Sequence, residues 1–201
     1  MIQAFQVTGR AFALWWREFI LLAICNLAWL ALQLLIVTGP PATAAMYGIA
    51  RRIANDDYVE PSHIWQTLRQ MFLPAWKWGA ANLLMALVVV GNFWAYQDAV
   101  GLPWTILRLA WGMIALGWFA ANLFYWPFWL TQGDRSLRTT LRNGYLFLAK
   151  RPGFALSLVL ICAGLSAVSI LLTLPLAIGL MAWLALIGVL AVDEELKRGK
   201  V

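Results

Sequence analysis

The residues best suited to chemistry fall on one stripe. Trp104, Arg108, Trp111, Ala115, Trp118, Asn122, Tyr125 and Trp129 follow at alternating steps of four and three, a spacing that stacks them on a single face of an α-helix. Aromatic rings stack on the apolar faces of a sugar or amphiphile, and neighbouring polar groups supply hydrogen bonds. Arg108, Trp111, Trp118 and Asn122 are therefore candidates to line a cavity. A competing structural reading puts Trp104 and Trp129 in interfacial aromatic belts, turns Arg108 outward toward Asp98 and packs the rest.

Elsewhere the chain offers little reactive chemistry. It has no Gly-rich phosphate loop, no His-Glu-x-x-His pair and no Gly-x-Ser-x-Gly elbow. No catalytic residue is assigned, and a non-enzymatic role without cofactor is expected. His63 is the single histidine; it reads as a surface residue, and no metal site is expected. The carboxylates of Glu18, Asp56, Asp57, Glu60, Asp98, Asp134, Asp193, Glu194 and Glu195 all lie between or at the ends of apolar runs. A proton relay needs such a group at depth, so proton-coupled transport is disfavoured. Cys25 and Cys162 sit within apolar runs and read as buried structural thiols. Asn26, Gln33, Asn82 and Asn92 are expected to hydrogen-bond between helices.

The elements that carry these residues are membrane helices. Of 201 residues, 63% are hydrophobic and 12% charged, and 13 are Trp, a surface that only lipid can solvate. Apolar runs at 19–38, 78–95, 105–129, 153–172 and 175–192 each approach the roughly 20 residues that cross ~30 Å of hydrocarbon. The net charge of +6 sits beside these runs rather than on a separate domain, which favours membrane orientation over nucleic acid.

Lysines and arginines fall into four clusters: Arg10 and Arg17; Arg51, Arg52, Arg69 and Lys77; Arg135, Arg138, Arg142, Lys150 and Arg151; then Lys197, Arg198 and Lys200. The intervening turns, Thr38-Gly39-Pro40-Pro41, Asp98 to Pro103, and Thr173-Leu174-Pro175, contain Pro but no Lys or Arg. Placing every cluster in the cytoplasm, by the positive-inside rule, requires six spans and puts both termini inside. The first helix is then retained rather than cleaved as a leader. The sixth crossing falls on 41–55, whose rise of ~22 Å is short of the hydrocarbon thickness. Five full spans with an external N-terminus is the alternative.

Thr67-Leu68-Arg69-Gln70 followed by Lys77 aligns without a gap on Thr140-Leu141-Arg142-Asn143 followed by Lys150. Arg69, Lys77, Arg142 and Lys150 then mark basic amphipathic helices on the inner face, each leading into a span. The expected fold is an all-α polytopic bundle, one integral membrane domain of three helical hairpins at approximately 1–57, 58–134 and 135–201.

Gly39, Pro40 and Pro41 open the stretch Gly39-Pro40-Pro41-Ala42-Thr43-Ala44-Ala45-Met46-Tyr47, which resembles the signature that follows the first span in the YesL family of bacterial membrane proteins. Pro40 and Met46 stand where that family has Gly and Leu, so a stiffer turn is expected. The resemblance covers nearly the whole chain. It implies a multi-pass protein of the bacterial cytoplasmic (inner) membrane. Members are often encoded near sugar-binding, permease and polysaccharide-degrading proteins, which implies a setting in carbohydrate uptake. The expectation is an accessory component that contacts the lipid bilayer and a carbohydrate transporter permease, with homo-oligomerisation left open. An autonomous small-solute or lipid-interacting carrier is the alternative, and a scaffold binding anionic lipid through Arg135 to Arg151 is a third reading.

Overall fold

A computed structural model describes residues 2–199, the side chains of residues 61–63 excepted. His63 and Lys200 of the sequence reading thus lie outside the described residues. The described chain is helical: α1 (Ile2–Arg17), α2 (Phe19–Leu34), α3 (Gly39–Ala54), α4 (Pro61–Gln70), α5 (Phe72–Ala95), α6 (Leu102–Thr131), α7 (Leu137–Lys150), α8 (Pro152–Leu172), α9 (Leu174–Ile178) and α10 (Leu180–Arg198). Among these, α5, α6 and α8 are each long and apolar enough to cross a membrane. The pair α1 and α2, bent by 95°, brings the number to four if it forms one span.

Proline and glycine set many of the boundaries. Pro40 and Pro41, Pro103, Pro152 and Pro175 stand in the first turns of α3, α6, α8 and α9, where a missing N–H costs no helical bond. Gly101, with φ of 110°, turns the chain into α6 through a conformation that a β-carbon would oppose.

The core is built around α10, which packs on α3, α6 and α1. Its residues from Ala185 to Val192 are buried without interruption. Where α3, α6 and α10 meet, Pro127 inside α6 has no N–H to give the carbonyl of Leu123, four residues earlier. Tyr47 of α3 donates its hydroxyl to that carbonyl at 3.3 Å. Gly188 of α10 lies so close that a β-carbon there would stand 2.7 Å from the same oxygen. One proline, one tyrosine and one glycine, far apart in sequence, thus fit three helices together.

A second polar junction holds the break between α9 and α10. Asn26 of α2 is fully buried. Its Nδ2 donates to the carbonyls of Leu176 and Ala177, both at 2.8 Å. Its Oδ1 accepts from the amides of Met181 at 3.0 Å and Ala182 at 3.4 Å. One side chain satisfies the open end of α9 and the open start of α10, the groups a broken helix leaves unpaired. Gly179 sits at the break, where a β-carbon would overlap the Trp15 indole. The expected interhelical role of Asn26 is therefore seen, directed at backbone rather than at another side chain.

The ungapped match between 67–77 and 140–150 does not fall on equivalent places. Thr67 to Gln70 close α4, and Lys77 already lies inside α5; Thr140 to Asn143 lie in the first half of α7, and Lys150 ends it. The match joins short basic stretches whose helix breaks differ in position.

Candidate functional site

The α6 stripe divides into two settings. Trp118 donates its indole N–H to Asn82 Oδ1 at 2.9 Å, and Trp78 donates to Asn122 Oδ1 at 2.6 Å. Each asparagine amide in turn donates to the carbonyl four residues earlier, that of Trp78 or of Trp118. The result is a reciprocal pair of Trp-x-x-x-Asn units that joins α5 to α6 and occupies both asparagine side chains. Arg108 lies apart, at the hairpin tip. It turns not to Asp98 but to backbone, donating to the carbonyls of Tyr96 and Ala99 at 2.6 Å and of Gln97 at 3.2 Å. Those carbonyls belong to the turn that follows α5, so the guanidinium ties that turn to α6. Trp111 is half-buried between the two groups. None of the four lines a cavity described below.

Gly39, Pro40 and Pro41 belong to a tight turn. Gln33 Nε2 donates to the Gly39 carbonyl at 3.2 Å and to Thr43 Oγ1 at 3.0 Å, and Trp29 Nε1 donates to the same hydroxyl at 3.0 Å. A β-carbon on Gly79 of α5 would stand 2.7 Å from Pro40 Cγ, and Trp76 donates to the Val37 carbonyl at 2.9 Å. The start of α5, with Lys77, therefore lies directly beside the α2–α3 turn.

The basic residues named from sequence do not converge. Arg69 stacks over Trp65, 5.3 Å from its centroid. Lys77, Arg142 and Lys150 are exposed on α5 and α7. The first turn of α7 is ordered by Asp134, whose carboxylate accepts from the hydroxyls of Ser136 and Thr139 at 3.1 and 2.7 Å. Those bonds, the Thr139 one foremost, hold its carboxyl below the usual range.

Charges do converge where α1, α3, α8 and the end of α10 meet. Arg51 bonds Asp193 at 3.1 Å, and Arg151 bonds Glu195 at 3.3 Å and also donates to Gln3 Oε1. These partners are about a fifth to a quarter exposed. Cavities of about 120 and 250 Å³ flank them. Both are lined by Arg10, Leu190 and Glu194, so they adjoin across these residues as a divided recess. From sequence alone Asp193, Glu194 and Glu195 are helix-end carboxylates and Arg10 is a marker of topology. Their signal was an acidic run closing an apolar helix; which basic residues it met depended on the tertiary fold.

The chain's first half carries a family match. Residues 22–97 fit the model of a family described as a protein of unknown function, DUF624. That family is of the YesL type. The match runs from α2 through α5, taking in Asn26, the Gly39-Pro40-Pro41 turn, Tyr47 and Asn82. No curated protein and no solved structure matches the chain.

Proposed function

We propose that this chain is a non-enzymatic accessory component of carbohydrate uptake in a bacterial inner membrane, with both termini and the charged recess on the cytoplasmic side. The observation that carries the reading is the closed centre of the bundle. Tyr47, Phe124, Trp126, Leu158 and Leu186 are buried together, and Gly188 lets the α10 and α6 backbones meet there. A carrier needs a path at this depth, so the sealed centre favours an accessory role over an autonomous carrier. The carbohydrate setting rests on the resemblance to the YesL type.

The positive-inside pattern supports the orientation, and α1 supports an inner-face helix. It buries Ala4, Val7 and Ala11, turns Gln3, Gln6 and Arg10 to one side, and leaves Phe5, Phe12 and Trp16 exposed on another. Such a helix lies at an interface with rings in lipid and polar groups in water. For the first hairpin, α2 and α3 have 16 residues each, ~24 Å of rise. Their turn touches Trp76, next to Lys77. We read this hairpin as re-entrant, turning inside the membrane, so that α5, α6, α8 and α9–α10 make the full crossings in place of the six expected. A cysteine at Ile36 should then resist an impermeant thiol reagent in intact cells; labelling there restores six crossings.

Affinity capture of the tagged protein from its host in mild detergent tests the function. A stoichiometric permease or sugar-binding partner supports the accessory role. Recovery of the protein alone, under conditions that preserve known complexes, together with sugar flux in liposomes, would replace it with the carrier.

A further inference from the structure

We propose that the recess between α1, α3, α8 and α10 binds a phosphate-bearing anion, with Arg10 as the anchoring residue. The two cavities that share Arg10, Leu190 and Glu194 are lined by cations from four places in the chain: Arg10 on α1, Arg51 on α3, Arg151 before α8 and Lys197 on α10. Two of these are answered within the fold, Arg51 by Asp193 and Arg151 by Glu195 and Gln3. Arg151 is also fixed against the Phe154 ring, 4.4 Å from its centroid.

Arg10 and Lys197 have no hydrogen-bond or ion-pair partner among the described residues, and Glu194 is the remaining lining carboxylate. The recess therefore keeps a positive excess after its internal pairs are formed. Guanidinium groups present fixed forks of N–H donors that match the oxygens of a phosphate. Cations arriving from several directions suit a tetrahedral oxyanion better than a planar carboxylate. A water occupies ~30 Å³, so cavities of about 120 and 250 Å³ admit a phosphate and its first substituent.

The phosphate could belong to a phospholipid headgroup or to a soluble phosphomonoester. The exposed rings of Phe5, Phe12 and Trp16, on another side of α1 from Arg10, suit a helix lying at headgroup depth, whereas a recess open to water would admit a solute. The proposal does not depend on the carbohydrate role.

The test uses the full chain, delipidated in detergent, with two probes: phosphatidylglycerol, counted as an adduct by native mass spectrometry, and glycerol 3-phosphate, titrated calorimetrically. Arg10→Gln is compared with Arg142→Gln, whose side chain is exposed on α7. Arg10 is exposed and unpaired, so Arg10→Gln should unfold at the wild-type temperature. Loss of one charge-assisted hydrogen bond should weaken binding by about tenfold or more, with Arg142→Gln unchanged. Retention of phosphatidylglycerol alone assigns the site to lipid, and binding of glycerol 3-phosphate assigns it to a solute. Binding of neither probe, or equal binding by wild type and Arg10→Gln, overturns the proposal.

Discussion

Replacing Tyr47 by Phe removes one oxygen from the centre of the bundle and nothing else. The Leu123 carbonyl receives no helical N–H because Pro127 stands four residues on, so the Tyr47 hydroxyl at 3.3 Å supplies its hydrogen bond. A neutral bond of that length contributes about 1 kcal/mol, and stranding a buried acceptor costs about 1–3 kcal/mol. Tyr47→Phe should therefore destabilise the protein by about 1–2 kcal/mol, read from reversible unfolding in mixed micelles. The decisive background is Pro127→Ala, which returns an N–H to the Leu123 carbonyl. There the same substitution should cost less than about 0.5 kcal/mol, leaving a coupling of the size found for directly interacting groups. Equal costs in the two backgrounds would refute the reasoning, since the tyrosine would then act through its ring alone.

Other consequences follow from the polar junctions. Asn26→Leu keeps the volume but strands two carbonyls and two amides at the α9–α10 break. At roughly 0.6–1 kcal/mol per bond, a loss of about 2–4 kcal/mol is expected in the same assay; a change below about 0.5 kcal/mol would show that the break is held by other contacts. Asn122→Leu deprives the Trp78 indole of its acceptor and should cost about 1 kcal/mol while leaving sugar uptake by the host unchanged. A fall in uptake with stability intact would instead restore Asn122 as a ligand contact. At the start of α7 the folded Asp134 carboxyl is held low, so its contribution is complete above the unfolded value of roughly 3.9 and fades as pH falls through the lower folded value. Amide exchange at Thr139, after correction for intrinsic rates, should quicken only on that acidic descent. A transition above it would point to another group.

The long apolar helices were legible because hydropathy and length suffice to mark them: α5, α6 and α8 coincide with runs visible at once. The first hairpin was harder. Segment 41–55 already fell short of a span, but what the turn before it packs on is set by Trp76 and Gly79, which belong to a later helix. The α6 stripe was correctly read as one helical face, yet periodicity does not say what a face meets. Asn122 and Trp118 met matching groups on α5, and Arg108 met the carbonyls of the turn that precedes its own helix. The Tyr47, Pro127 and Gly188 junction was invisible for a different reason. Each residue is ordinary alone, and only the unpaired carbonyl between them explains the set. The charged recess likewise needs α1 to return against α10, a long-range contact that no local pattern encodes.

Cysteine accessibility in intact cells tests the orientation most directly, with single cysteines at Gln3, Val100 and Gly199 in a background lacking Cys25 and Cys162. Val100, 88% exposed at the α5–α6 tip, should label with an impermeant reagent, and Gln3 and Gly199 should label only after permeabilisation. Labelling of Gln3 or Gly199 in intact cells would place the recess outside the cytoplasm and contradict the account.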